Sequence, residues 1–254
     1  MDLGIKNKVA LVTGAASEKG IGYAIACALA KEGADVVVTD IISEGVQSLA
    51  RKIKDMGRRS LALQVDQGKY EDVKEAVEKI NEEFDGIHIL VNSAAITSNF
   101  GTLKKMKPEK FTNEININLN GPYFWIREVM PVMIKNNWGR ILNISSIASL
   151  AGAVGMPSYA TSKGGLLTLT KVAAREGASK GITANALVLG LVATEIYEKG
   201  TDPKVVEGMV KRVLLGRMAS PEEVADIAAF LCSEKSSYIT GENILVEGGL
   251  TINV

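Results

Sequence analysis

Short apolar runs rich in β-branched residues alternate along the chain with longer segments of helical periodicity. VALVT at 9–13 precedes a helical pattern at 22–33, and VVVTD at 36–40 precedes another at 43–57. LALQV at 61–65 leads into 71–84, where Ala76, Val77 and Ile80 share one helical face. HILVN at 88–92 is followed by one long, bent helical pattern over 108–136. GRILNISS at 139–146 precedes a helix over 158–179, and ITANALVL at 182–189 is the sixth apolar run. A helix over 221–233 and a last run at 244–249 close the pattern. Strands that are apolar throughout, each followed by a helix, predict a parallel sheet covered on both faces. Right-handed crossovers then give an α/β fold: a doubly wound, seven-stranded, mainly parallel sheet with helices on both faces.

One stretch breaks this rhythm. Residues 190–220 read as an insertion with one or two short helices, just past the carboxyl end of a strand. That is the side on which open α/β sheets bind ligands, so 191–215 is expected to form a lid over substrate. No linker or composition shift divides the 254 residues, and a single domain is expected. Formal net charge is zero, which gives no support for a nucleic-acid or membrane-surface partner. Cys27 and Cys232 each lie in an apolar helical pattern and read as free thiols of a reducing compartment. There is no signal-like start and no apolar run of about 18 residues, so a cytoplasmic location is expected.

Candidate chemistry begins at the first strand–helix turn, VTGAASEKGIG. Gly14, Gly20 and Gly22 would let the backbone approach a pyrophosphate at a helix N-terminus. Asp40 ends the second strand, where a carboxylate can bond the ribose hydroxyls of NAD and repel the 2′-phosphate of NADP. Lys19 cuts the other way, and NADP stays open. Asp66 either touches the adenine or starts a turn. His88 opens a strand and reads as structural, and no cluster has metal-ligand spacing. Two Tyr-x-x-x-Lys pairs occur: Tyr70 with Lys74, and Tyr159 with Lys163. The first lies on a Glu/Lys-rich helix and reads as a solvated face. The second follows the strand that carries Ser145 and Ser146.

Together TGAASEKGIG, Asp40, ILVNSAAI at 89–96, NLNG at 118–121, GRILNISS, YATSK at 159–163, GITANAL at 181–187 and ITGENILVEGG at 239–249 resemble the short-chain dehydrogenase/reductase superfamily over essentially the whole chain. The resemblance implies a Rossmann-like fold and hydride transfer between a nicotinamide and a secondary alcohol or ketone, with NAD favoured. It implies Asn118, Ser146, Tyr159 and Lys163 as the catalytic set. Ser17, Ile21, Asn92, Ala94 and Thr194 join the glycines, Lys19, Asp40, Asp66, Tyr159 and Lys163 as cofactor contacts. A small-molecule substrate and a homotetramer are further implications. Alternatives are a 3-oxoacyl thioester reductase using NADPH and a non-catalytic nucleotide-binding member.

Tyrosine as a base demands help from its surroundings. Moving a phenol from pKa ~10 to ~7 takes roughly 4 kcal/mol, whereas an exposed i,i+4 contact supplies only ~0.2–0.5 kcal/mol. Tyr159 is therefore expected to need a dry pocket in which Lys163 and the nicotinamide act at short range. Three departures from the family pattern bear on this. Ala95 stands where the family has glycine, Leu189-Gly190 stands for Pro-Gly, and the glycine turn is two residues longer than the commonest form. That turn length resembles the enoyl reductases, but they space tyrosine and lysine farther apart. Leu150, Val154 and Met156 are expected to line the substrate pocket, below Ile196, Tyr197 and Met209. The consecutive aromatics Tyr123, Phe124 and Trp125 cannot all face one core, so part of that helix is expected to meet a partner subunit.

Overall fold

A computed structural model describes residues 2–97, 100–199 and 201–252. The strands are β1 (Val9–Thr13), β2 (Asp35–Asp40), β3 (Ser60–Gln64), β4 (Ile89–Asn92), β5 (Gly139–Ser146), β6 (Ile182–Leu189) and β7 (Asn243–Val246). They form one seven-stranded sheet in the order β3-β2-β1-β4-β5-β6-β7. Every neighbouring pair is parallel, which sharpens the expectation of a mainly parallel sheet. The helices are α1 (Ile21–Lys31), α2 (Ser43–Asp55), α3 (Tyr70–Glu83), α4 (Pro108–Ile115), α5 (Gly121–Asn136), α6 (Ala148–Ala151), α7 (Pro157–Gly177), α8 (Glu195–Lys199), α9 (Pro203–Val210) and α10 (Pro221–Leu231).

Alternate strand residues serve opposite faces, and this is why the strands are apolar throughout. Ala10 and Val12 of β1 join Ile25, Leu49 and Val224 in a core beneath α1, α2 and α10. Val9 and Leu11 join Ile80, Trp125 and Ala174 in the core beneath α3, α5 and α7. No helix among the described residues is long and apolar enough to cross a membrane.

The long helical pattern at 108–136 is continuous but changes register. Between α4 and α5 runs a π turn, Asn116–Asn120, with Asn118 buried inside it. Pro122, at the start of α5, has no N–H to give the Asn118 carbonyl four residues back, so the α-helical ladder is interrupted there. The consecutive aromatics separate as expected. Trp125 is fully buried, Phe124 packs edge-on against Tyr70, and Tyr123 remains exposed.

The Tyr70–Lys74 helix face is less purely solvated than the sequence reading has it. The Tyr70 hydroxyl donates to Glu128 Oε1 at 2.8 Å, bracing α3 against α5. The insertion folds as α8 and α9, and its base is closed by a parallel bridge between Val192 and Ala219. Residue 200, within the expected lid, lies outside the described residues.

His88 is structural, as expected. Its Nδ1 accepts from Val9 N at 3.2 Å, while its own N–H donates to Val9 O. Burial, and then the charge of Lys8, lower its pKa below the usual histidine value. The folded chain therefore prefers the neutral ring, and the unfolded chain takes up the proton first as pH falls. This contribution is present above about pH 6.5 and is lost below it. The urea midpoint should drop between pH 7.5 and 5.5, and His88→Asn, which keeps an acceptor, should flatten that drop.

Candidate active site

A cleft of about 210 Å³ opens at the carboxyl ends of β1, β2 and β4. The strand order reverses here, with β1 flanked by β2 on one side and β4 on the other. This is the switch point at which doubly wound sheets take their ligands. Gly14, Asp40, Ile41, Asp66, Gln67 and Ala94 are among the lining residues. Gly14 has φ +68°, and a Cβ on it would lie 2.4 Å from Ala94 Cα. Only glycine fits that turn without pushing the opposite wall away. A Cβ on Gly22 would likewise meet the Gly14 carbonyl oxygen at 2.4 Å, so α1 starts directly against the turn.

Asp40 holds this turn as well as facing the cleft. Its Oδ2 accepts from Ala16 N at 3.1 Å and its Oδ1 from Ile42 N at 3.1 Å. Ile41 and Ile42, both largely exposed, flank it with apolar surface suited to an adenine ring. Ser17 and Lys19 lie exposed on the turn, and Gly20 and Ile21 begin α1. Asp66 begins a turn, as one of the two expectations has it, its Oδ1 accepting from Gly68 N at 3.0 Å, and it also lines the cleft. The close glycine turn, the carboxylate and the apolar flank fit the adenosine and pyrophosphate of a dinucleotide.

Asn92 is placed differently from its expected cofactor contact. It is buried, and its Nδ2 donates to Asn143 Oδ1 at 2.8 Å, while Asn143 in turn donates to Thr170 Oγ1. A buried side chain so bonded ties β4 to β5 and α7 beneath the cleft. Thr194 precedes α8, and its carbonyl accepts from Tyr197 N. Ala95 carries no strain from replacing glycine, because it is not among the residues with positive φ. Leu189 is a buried β6 residue, and the Ile147 N–H donates to its carbonyl at 2.9 Å.

Past the end of β5, Ser146, Tyr159 and Lys163 come together. Ser146 lies close enough to the Tyr159 phenol to favour its charged form, while its hydroxyl oxygen accepts from Ala148 N at 3.2 Å. Lys163 lies 3% exposed, its Nζ 5.8 Å from the Tyr159 ring centre and donating to Ile144 O at 2.7 Å. Burial lowers Lys163 to about 8. Burial raises Tyr159; Ser146 pulls it back, while Tyr197 and Glu114 push it further up. Lys163 is not among the groups displacing Tyr159 in this arrangement, in which its ammonium is bonded to the Ile144 carbonyl. Ser145 bonds the Lys163 carbonyl instead, fastening β5 to α7. Asn118 spends its side chain on Ile96, donating to its carbonyl and accepting from its N–H, each at 2.8 Å.

The family model described as enoyl-(acyl carrier protein) reductase matches residues 14–251. A curated relative, the 3-oxoacyl-[acyl-carrier-protein] reductase FabG of Thermotoga maritima, is 39% identical over 98% of this chain and 99% of its own length. The chain belongs to the short-chain dehydrogenase/reductase superfamily. FabG of Aquifex aeolicus is 38% identical over 98% of the chain and its own full length. A crystal structure described as a short-chain alcohol dehydrogenase of Sinorhizobium meliloti superposes with TM-score 0.94 at 30% identity, covering 100% of both chains. As a short-chain dehydrogenase/reductase, the protein is a nicotinamide-dependent oxidoreductase acting on CH–OH or keto groups.

Two site residues escaped the sequence reading. Thr13 Oγ1 accepts from both Ser93 N and Ala94 N, each at 3.1 Å. Gln67 is buried, and its Nε2 donates to Ala94 O at 3.2 Å and Ile117 O at 2.8 Å. Its Oε1 accepts from Trp125 Nε1 at 3.3 Å. Nothing in VDQG marks a residue whose partners lie 27–58 positions away. Gln67→Leu strands these groups, each at about 1–3 kcal/mol. Chemical denaturation should show a loss of at least about 3 kcal/mol, and NADH should bind more weakly.

Proposed function

We propose that this enzyme reduces the ketone of a 3-oxoacyl thioester, with NADH preferred over NADPH. The observation that carries the reading is the gathering of Ser146, Tyr159 and the buried Lys163 ammonium past the end of β5. The cleft lined by Gly14, Asp40 and Ala94 would hold a nicotinamide dinucleotide, which when bound would supply the hydride for the carbonyl carbon. Ser146 donates to the carbonyl oxygen and holds it near Tyr159. Tyr159 gives its proton to the same oxygen as negative charge develops there. Lys163 holds a positive charge in a dry site, where it stabilises the phenolate left behind. Asn118 keeps the Ile96 segment in place beside this centre.

The thioester is supported by the names of the FabG relatives and by an apolar rim. Leu150, Val154, Ile196 and Met209 are exposed. Gly101 N donates to Gly155 O, which ties the segment carrying the exposed Phe100 to the one carrying Val154. Such a rim suits an acyl chain better than a polyol. Tyr197 acts on Tyr159 from α8, as a lid residue would. NADH is supported by Asp40, whose fixed charge opposes a 2′-phosphate. A homo-oligomer, a tetramer by family resemblance, belongs to the same reading, since α5 and α7 expose Tyr123, Ile134 and Val172.

Tyr159→Phe should lower kcat by about 10²–10⁴-fold, while NADH binding changes little. Retained turnover would refute the assignment of the proton donor. A panel of 3-oxoacyl thioesters, simple ketones and enoyl thioesters, each with NADH and NADPH, tests substrate and cofactor together. Faster reduction of the enoyl thioesters would favour the chemistry in the family model's description instead. A strong NADPH preference would refute the role given to Asp40, and Asp40→Ser with Ile41→Arg should shift preference toward NADPH.

A further inference from the structure

Glu114 lies in the last turn of α4, four residues before Asn118. At 1% exposed it is the most deeply buried carboxylate among the described residues. Its Oε2 accepts from the Ser158 hydroxyl at 2.5 Å. Its Oε1, equally buried, has no partner among the described residues. A buried carboxylate with an empty acceptor is costly, and an apolar residue would serve packing better. Such a group calls for a reason beyond stability.

Its place supplies one. Ser158 is in the first turn of α7, immediately before Tyr159. The Glu114–Ser158 bond therefore fastens the start of α7 to the end of α4, next to the phenol. The groups acting on Tyr159 are Glu114 from α4, Ser146 from β5 and Tyr197 from α8. On its own helix Lys163 faces the ring, with its ammonium bonded to Ile144 O. Toward Glu114, α7 presents Ser158 and Tyr159, and Lys110 lies one turn back on α4 at the exposed surface. Among the described residues, Glu114 is the only carboxylate acting on the phenol.

We propose that Glu114 is a positioning residue for Tyr159: its bond to Ser158 fixes the start of α7 and so sets where the phenol sits, beside a buried negative charge. This rests on the reductase reading, because only in the reducing direction does Tyr159 start as an acid. The charge then extends the pH range in which the proton is available for donation.

The test reads Tyr159 directly. Tyrosine labelled with ¹³C at Cζ is titrated by NMR, and the Tyr159 signal is identified by its loss in Tyr159→Phe. In Glu114→Gln, Tyr159 should titrate measurably lower than in the wild type. Glu114→Leu should move it the same way and raise Tm, since an unpaired buried carboxylate is gone. Ser158→Ala keeps the charge, so the titration should shift far less while kcat falls through a misplaced phenol. In ketone reduction, the alkaline limb of kcat/KM should follow the NMR values. An unchanged Tyr159 titration in both Glu114 variants overturns the proposal, as does an equal shift in Ser158→Ala. The titration needs no substrate, so failure to turn over thioesters would refute the function reading and leave this result standing.

Discussion

Residues 93–96 leave β4 without forming helix or strand, and side chains from three other segments hold them in place. Thr13, at the end of β1, takes the Ser93 and Ala94 N–H groups. Gln67 takes the Ala94 carbonyl and, with the same amide nitrogen, the Ile117 carbonyl in the π turn. Asn118 takes both backbone groups of Ile96. Each bond adds only about 0.5–1.5 kcal/mol net, but leaving such groups unmade in a buried place costs more. The segment is thus one wall of the dinucleotide cleft and, at its other end, a support for the catalytic centre. Gly14 meets this wall at Ala94 with no room for a side chain. A shift at either end is therefore transmitted to the other.

The chemical centre rests on a second constraint, a cation held without water. Lowering a lysine from 10.5 to about 8 by burial costs stability on the order of 3 kcal/mol at neutral pH. The Ile144 carbonyl and the packing of α7 on β5 offset part of that cost. The upward displacement of Tyr159 belongs to the same dry site. For alcohol oxidation it is an obstacle, because the phenol must first lose its proton. For ketone reduction it is not, because the phenol starts protonated and the alkoxide forming beside it is a far stronger base. The geometry is therefore suited to reduction with Lys163 still bonded to the Ile144 carbonyl.

The sheet was legible because its physics is local. Parallel strands buried on both faces need apolar residues at successive positions, and VALVT, ILVN and ITANALVL show just that. The glycine turn was legible because a close backbone approach leaves glycine little alternative. The Ser146, Tyr159 and Lys163 cluster was legible from joint spacing and resemblance, not from the Tyr-x-x-x-Lys interval itself. Gln67 and Thr13 were hidden because their partners are backbone groups of distant segments, which no local pattern encodes. Glu114 was hidden for a related reason: within PEKFTNEI it looks like one more polar position on a surface helix. The concern over Ala95 came from assuming glycine is needed for its backbone angle, and the structure shows no positive φ there. The π turn left one trace, Pro122, which removes a helical donor just where Asn118 sits.

Asp40 shows how specificity and folding can share one side chain. Both of its oxygens accept backbone N–H groups, from Ala16 in the glycine turn and from Ile42 after β2. Each carboxylate oxygen has two lone-pair sites, so one on each remains for a ribose hydroxyl. The charge proposed to discourage a 2′-phosphate is the charge that anchors the glycine turn to the sheet. Neutralising it changes the electrostatics of the cleft and removes a support of the turn together. A changed cofactor preference at this position must consequently be separated from a loosened turn. An introduced cation at Ile41, largely exposed beside the carboxylate, changes the charge without touching either backbone bond. That makes the exposed position after the strand, rather than Asp40 itself, the place where charge and turn geometry come apart.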